Sequence, residues 1–553
     1  MPAAANTKPG RHWAAGVLND NKAKGNTDMK NTLITGLLLG LVQTTALTAP
    51  AAAAEKVSIV VNATQEFGTI DPGKINDYTE YMAAVNLYSG LTTVNPDGSV
   101  VPELAETWSV SDDDKTYTFK LKQGATFQDG TPVKASDVVY TVKRLLAGNE
   151  GPSYLFTGIV DPEKVRAVDE QTVEIGLKKV YAPFITSTPL ILVLNEKQIR
   201  ANSSQEWGGD YLADHPAGAG PYTLSSWQRA SQMVINRYEG YHGGWNKGKP
   251  IDEIRFVITH DEATVKALAA KGELGMSARA QANETFDAIG KMPGYKILNG
   301  TTATGYYIKM NTKVPPTDDI HVRRAIAYAT DYDTVRKVIH PGEPMNGPLA
   351  AVFKDAYLDE LAAPEYNLEK AKEELEKSKY AGKGPIKVTH TYVTGLAFEE
   401  DLALLMQANL EQIGIELDIK PEPWNRITEL AAEVDTTPAT TQVVYGPTYP
   451  SPDSVFYVQY HSKAKGTWAS MEWLDDPEID ALIDRSRETL DPIAQNALYK
   501  DIQRKVVEMQ ADVFLTVEAQ QYAASKCLQG YAFIPMQSWD LNFSRFWWDC
   551  QAE

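Results

Sequence analysis

The chain has 553 residues, a formal net charge of −19 at pH 7 and a hydrophobic content of 43%. That length implies more than one domain, at roughly 100–200 residues each. An acidic surface of this size argues against nucleic acid and anionic membrane as partners.

In chain order, Met29-Lys30 precedes an apolar run from Leu33 to Leu47, and Ala51-Ala52-Ala53-Ala54 supplies small residues before Glu55. A positive segment, an apolar segment and a small-residue cleavage site are the parts of a secretory signal. The run is too short for a spanning helix, which needs about 20 apolar residues. Residues 1–28 are polar and lack apolar periodicity, so Met29 is either the working initiator or lies within an extended n-region. Either way cleavage near residue 54 leaves the same mature chain, with 499 residues and a net charge of −22. No cysteine follows the cleavage site to carry a lipid anchor, and a soluble periplasmic protein is expected. Cys527 and Cys550 are the chain's two cysteines, and their spacing excludes a Cys-x-x-Cys redox or zinc pair. In an oxidising compartment they either bridge and pin the C-terminal tail or remain two buried thiols.

The mature part opens with a short strand, Lys56 to Asn62, and a turn over Phe67–Pro72; Tyr81 to Leu91 reads as a helix opening into a strand. Tyr117, Phe119 and Leu121 alternate with Thr118, Lys120 and Lys122, which is a strand with one apolar face. Asp129-Gly130-Thr131-Pro132 is turn chemistry. Ser136 is placed to cap a helix whose apolar stripe is Val138, Val139, Val142, Leu145 and Leu146. Further strands are expected at Thr172–Leu177, Tyr306–Thr312, Ile415–Ile419 and Thr441–Val444. Helices are expected from Val322, over Asn367–Leu375, Leu402–Ile413 and Pro477–Ile483, and from Pro492 to Gln510.

The segment from Ala105 through Trp108-Ser109-Val110, Tyr117-Thr118-Phe119, Phe127-Gln128-Asp129-Gly130 and Ala135-Ser136-Asp137-Val138-Val139-Tyr140 closely resembles the signature of the bacterial extracellular solute-binding proteins of family 5. Gly218-Ala219-Gly220-Pro221-Tyr222, Asn236–Tyr241 and Lys249–Ile254 are similar to later family segments. The resemblance implies an α/β, two-lobed periplasmic-binding-protein fold with an extra subdomain inserted in the first lobe. It places lobe I at 55–307 with the insertion at about 95–222, lobe II at 308–513, and a return to lobe I over 514–553. It also implies a receptor that captures a peptide or peptide-like solute between its lobes and delivers it to an inner-membrane ABC permease. Such a receptor is expected to act as a monomer without cofactors. An oligosaccharide is the alternative ligand, and a secreted hydrolase or a sensory role are readings from other classes.

Enzyme motifs are missing from the sequence. Neither Gly-x-Ser-x-Gly nor His-Glu-x-x-His occurs, and Gly218-Ala219-Gly220 is followed by Pro221, which would interrupt a phosphate-binding helix start. The seven histidines after residue 54 show no metal-ligand spacing. By resemblance, Asn76, Asp77 and Tyr78 match the first-lobe ligand loop of peptide receptors. Tyr445, Thr448, Tyr449 and Asp453 lie in the corresponding second-lobe segment, and Trp424 lies where relatives place cleft residues. Aligned on Pro452-Asp453-Ser454, Thr448 takes the position at which peptide-binding relatives carry an aspartate for the peptide's amino terminus. A hydroxyl cannot supply that countercharge. Dipeptide relatives also carry an arginine near the helix at Leu402–Leu410, where this chain reads Phe398-Glu399-Glu400-Asp401. Both departures favour a longer peptide held by its backbone, an opine-like conjugate or a neutral sugar over a zwitterionic dipeptide.

Overall fold

The computed structural model describes residues 56–551 apart from 76, 149, 246, 247 and 537. The expected leader and Asn76 therefore lie outside the described residues. Among those described, the largest sheet has 11 strands. Its order runs Ile415–Glu422, Ile386–Val393, Thr440–Tyr445, Tyr295–Met310, Asp512–Ser525, Leu274–Met276, Ser58–Ala63, Glu253–Ile258, Gln232–Arg237 and Tyr222–Gln228, with Gly342–Pro344 paired to Asp512–Ser525 off that path. Ser58–Ala63 is parallel to both of its neighbours, and its Ile59-Val60-Val61 run is buried. A continuous apolar run is what a strand covered on both faces requires.

Two strands are much longer than the rest, with 16 residues in Tyr295–Met310 and 14 in Asp512–Ser525. They pair antiparallel from Tyr295 opposite Ser525 to Lys309 opposite Asp512, with a register shift between Thr301 and Gly305. Their two ends belong to different cores. Leu298, Tyr522 and Ala524 pack with Ile59, Tyr81 and Phe256. Tyr306, Ile308, Met310, Val513 and Leu515 pack with Val322, Leu402 and Leu410, and Tyr307, Phe514 and Val517 pack with Phe456 and Ile483. The changeover thus falls between 298 and 306 on one strand and between 517 and 522 on the other. At the far end of the pairing, on the second side, Lys309 Nζ is fully buried 3.2 Å from Glu472 and 3.4 Å from Asp512.

Residues 105–177 form a second, four-stranded antiparallel sheet, ordered Ala105–Val110, Thr116–Leu121, Thr172–Leu177, Val160–Ala167. The alternation at 117–121 is seen directly, with Tyr117, Phe119 and Leu121 buried and Lys120 exposed. The helix that follows spans Ala135–Gly148, so Ser136 is a first-turn residue rather than its cap; the Asp137 carboxylate instead accepts from the Lys134 backbone N–H at 2.9 Å. From this helix Arg144 reaches back to Asp71 at 2.5 Å, both side chains nearly fully buried, and donates to the Trp207 carbonyl at 2.7 Å. This pair fixes the turn that leads into the helix Tyr78–Leu87.

Other elements differ from expectation mainly in extent. The helix expected from Leu402 begins at Ala397, and the strand expected from Tyr306 begins at Tyr295. The C-terminal segment returns to the first core with Leu528, Ile534, Met536, Trp539, Leu541, Phe543 and Phe546. There Asn86 donates to the Leu541 carbonyl and accepts from the Phe543 N–H, each at 2.9 Å. Cys527 and Cys550 are bridged, closing this segment on itself, and the short strands Leu528–Gln529 and Trp547–Trp548 pair inside the loop.

Candidate functional site

Two groups of side chains stand where the cores meet. The first surrounds the loop after Thr440–Tyr445. The Ser454 hydroxyl oxygen accepts from the backbone N–H of Thr448 at 2.8 Å and of Tyr449 at 3.4 Å, which folds the loop back on the helix Asp453–Tyr460. Tyr445 donates to the Ser454 carbonyl at 2.5 Å. The Asp453 carboxylate accepts from Tyr449 at 2.7 Å and from Tyr181, in the first core, at 3.1 Å. Arg487 Nε lies 3.4 Å from the other Asp453 oxygen, and its guanidinium is sandwiched by Tyr457 at 3.7 Å and Tyr181 at 4.8 Å. An aspartate that is 0% exposed requires such a partner.

Tyr445, Tyr449 and Asp453 therefore turn inward, and in this conformation their side chains present no surface to a ligand. Thr448 stays partly exposed, with Tyr154, itself 39% exposed, beside it. Trp424, the first residue of the helix Trp424–Leu430, is also partly exposed and meets Trp468 edge-to-face at 5.2 Å.

The second group sits on the changeover of the two long strands. Asp77 caps the helix Tyr78–Leu87 by accepting from the Glu80 N–H at 2.9 Å, and burial raises its carboxyl above the usual range. The Tyr78 and Tyr522 hydroxyls are 2.6 Å apart. Arg279 lies over the Tyr78 ring at 4.0 Å, with the nearest Glu518 oxygen at 3.7 Å. His340, from the second side, approaches Glu518 at 3.0 Å and stacks on Phe398 at 4.3 Å. Burial pushes the Glu518 carboxyl up, but His340 and Arg279 outweigh it and hold the group below its usual range. Asp540 accepts from Gln520 at 2.8 Å and Tyr531 at 3.2 Å, and burial lifts it to about 6. Glu399, in the first turn of its helix, accepts from the Val393 N–H at 2.6 Å, and burial raises it to about 8. No tight cluster of metal-ligating side chains occurs among the described residues.

Of the residues singled out in the sequence, Asp77 and Tyr78 fall in the second group; Trp424, Tyr445, Thr448, Tyr449 and Asp453 belong to the first. Arg279, Glu518, His340, Tyr522 and Asp540 gave no sequence signal, because each stands alone in its segment and the group forms only when the long strands pair.

Comparison with known proteins agrees with this architecture. The family description "Bacterial extracellular solute-binding proteins, family 5 Middle" matches residues 99–467. A probable D,D-dipeptide-binding periplasmic protein of Escherichia coli is 26% identical over 509 residues, covering 90% of this chain and 96% of its own. A glutathione-binding protein of Shigella flexneri is 28% identical over 530 residues, covering 92% and 97%. Among solved structures, a periplasmic binding protein of Helicobacter pylori in complex with the peptide STSA superposes with a TM-score of 0.79 at 20% identity, covering 89% of this chain and 98% of that one. The oligopeptide-binding protein of Bacillus subtilis in complex with a nonapeptide gives 0.78 at 22% identity, covering 89% and 99%. Proteins of this family bind small solutes or peptides and work with ABC permeases. With the family match spanning about two thirds of its length, the chain belongs to the bacterial extracellular solute-binding proteins of family 5.

Proposed function

We propose that this protein captures a peptide or peptide-like solute between its two cores, in the periplasm, and delivers it to an ABC permease of the inner membrane. On this reading residues 1–54 are a leader removed on export, and the mature chain acts as a monomer. The first lobe holds the N-terminal part up to the changeover near 298–306 and the chain after 517–522. The second holds what lies between. The observation that carries the reading is a partly exposed group of charged and aromatic side chains at the point where two long strands pass from one core to the other. A solute there would touch both lobes, and only contacts with both favour a closed state. Tyr78 and Asp77 would line the site from the first lobe, and Thr448 and Trp424 from the second. The relatives named for dipeptides, glutathione and longer peptides support the ligand class.

The test is a thermal-shift screen of the ligand-stripped mature protein with di- to pentapeptides, opine-like conjugates and neutral oligosaccharides. A ligand at 100 times its Kd should add about 2.7 kcal/mol of stability. A shift with peptides or conjugates is the expected result. A shift with sugars alone would reassign the ligand, and turnover of any compound by the purified protein would reassign the class.

A further inference from the structure

The two groups spend their charges differently. Among the described residues, five buried or half-buried acidic side chains where the cores meet already have a protein donor. Asp453 has Tyr449 and Tyr181; Asp540 has Gln520 and Tyr531; Glu399 has the Val393 N–H; Asp77 has the Glu80 N–H; Glu518 has His340. Arg279 is the exception. Its guanidinium carries five N–H donors, yet the nearest carboxylate oxygen, on Glu518, stands at 3.7 Å, beyond hydrogen-bonding distance. It also lies over the Tyr78 ring, which takes a face and no N–H, while Tyr522 and Asp540 act on it by charge without a hydrogen bond. The side chain is 28% exposed.

The loop that carries Arg279 is held firmly. Ser277 exchanges hydrogen bonds with Ala523 on the long strand, its N–H donating at 2.8 Å and its hydroxyl accepting at 2.9 Å. The Ala278 N–H and the Gln281 amide both donate to Asn62 Oδ1, at 3.2 and 3.0 Å. A planar cation stacked on an aromatic ring, on a fixed loop, with its fork unspent, is preorganised for a planar anion. Arginine binds carboxylates bidentately, and hydrogen bonds between charged partners are roughly twice as strong as neutral ones.

We infer that Arg279, stacked on Tyr78, is the anion-binding group of the ligand site, and that the natural solute is an acid whose carboxylate docks on this fork from between the lobes. The inference rests on the peptide-receptor reading and sharpens it. The solute's negative end is held from the first lobe, and with Asp453 consumed by Arg487 no exposed acid of the second lobe's loop awaits a free ammonium.

The experiment uses a mixed library of di- to pentapeptides lacking Asp and Glu, made once as free acids and once as C-terminal amides. Each is equilibrated with the mature protein, and bound masses are counted by native mass spectrometry. The wild type should retain acids at least 10-fold over amides. Arg279→Gln should retain both libraries equally, and Arg279→Lys should keep part of the preference. Equal retention of acids and amides by the wild type, or an undiminished acid preference in a folded Arg279→Gln, overturns the inference and leaves the peptide reading standing. The wild-type comparison holds even where a variant fails to fold. Retention of neither library overturns both, and a shift with neutral oligosaccharides in the thermal screen would then identify the replacement.

Discussion

The Asp453–Arg487 group and the Arg279–Glu518 group contain similar parts: an arginine, a carboxylate and tyrosine rings, at the meeting of two cores. They differ in what is left over. In the first, the arginine is clasped between Tyr457 and Tyr181 and faces an aspartate with no exposed surface. In the second, the arginine is open on one side and its carboxylate leans toward His340. A buried pair of the first kind holds two segments in register, whereas an arginine of the second kind is available to a solute. Similar residue types therefore do not mean similar tasks, and exposure separates them, with the Arg487 side chain at 8% and that of Arg279 at 28%.

The comparison breaks most sharply at Asp453. Asp453→Ala should cost about 3–5 kcal/mol, because it leaves Arg487 buried without its partner. Urea unfolding would measure it, and a loss below about 1 kcal/mol would mean that Arg487 finds solvent easily and that the joint is not closed. Next in size is the bridge. Replacing Cys527 and Cys550 by serine should cost about 3 kcal/mol by the loop-closure argument. Because the bridged segment carries Asp540 and Tyr531, ligand affinity at the open group should fall with it, as titration calorimetry would show. Asp77→Ala should cost about 1 kcal/mol through the lost helix cap, and should loosen Tyr78 beneath Arg279. A thermal melt together with the acid-over-amide ratio reports both effects.

The last change is one of slope with pH. The Glu399 carboxyl is lifted to about 8 by burial, from an ordinary value of 4.5. Between those values the folded chain binds the proton and the unfolded chain does not, so this group's contribution falls as pH rises from about 4.5 to 8. Glu399→Gln should remove that decline. Its melting temperature should match the wild type near pH 5 and exceed it near pH 8, and parallel pH profiles would show that Glu399 is ionised in the fold.

Much of the architecture was legible in the residues. The alternation of Tyr117, Phe119 and Leu121 and the stripe from Val138 to Leu146 are local periodicities, and local periodicity survives folding. Element ends were less legible. Ala397–Asp401 opens a helix, because the Leu402–Leu410 face behind it is buried and the first-turn Glu399 and Glu400 suit a helix N-terminus. The site was legible only as two loops. That Asp453 is spent on Arg487 and on a tyrosine 272 residues earlier is decided by tertiary packing. Arg279 has no patterned neighbour to announce it, and its meaning comes from Tyr78 lying beneath it.

The return of the C-terminal segment has a consequence for the order of assembly. Asn86 completes its hydrogen bonds with Leu541 and Phe543, the latter 457 residues further along. The first core to emerge during synthesis therefore cannot finish until the last stretch of chain has arrived, and the second lobe must form in the interval. Such distant closure is slow. The half-built first lobe meanwhile exposes the apolar surface that Trp539, Phe543 and Phe546 will cover. Losing the final 25 or so residues would strip that cover from the oldest part of the molecule, and aggregation is the expected fate of such a truncation.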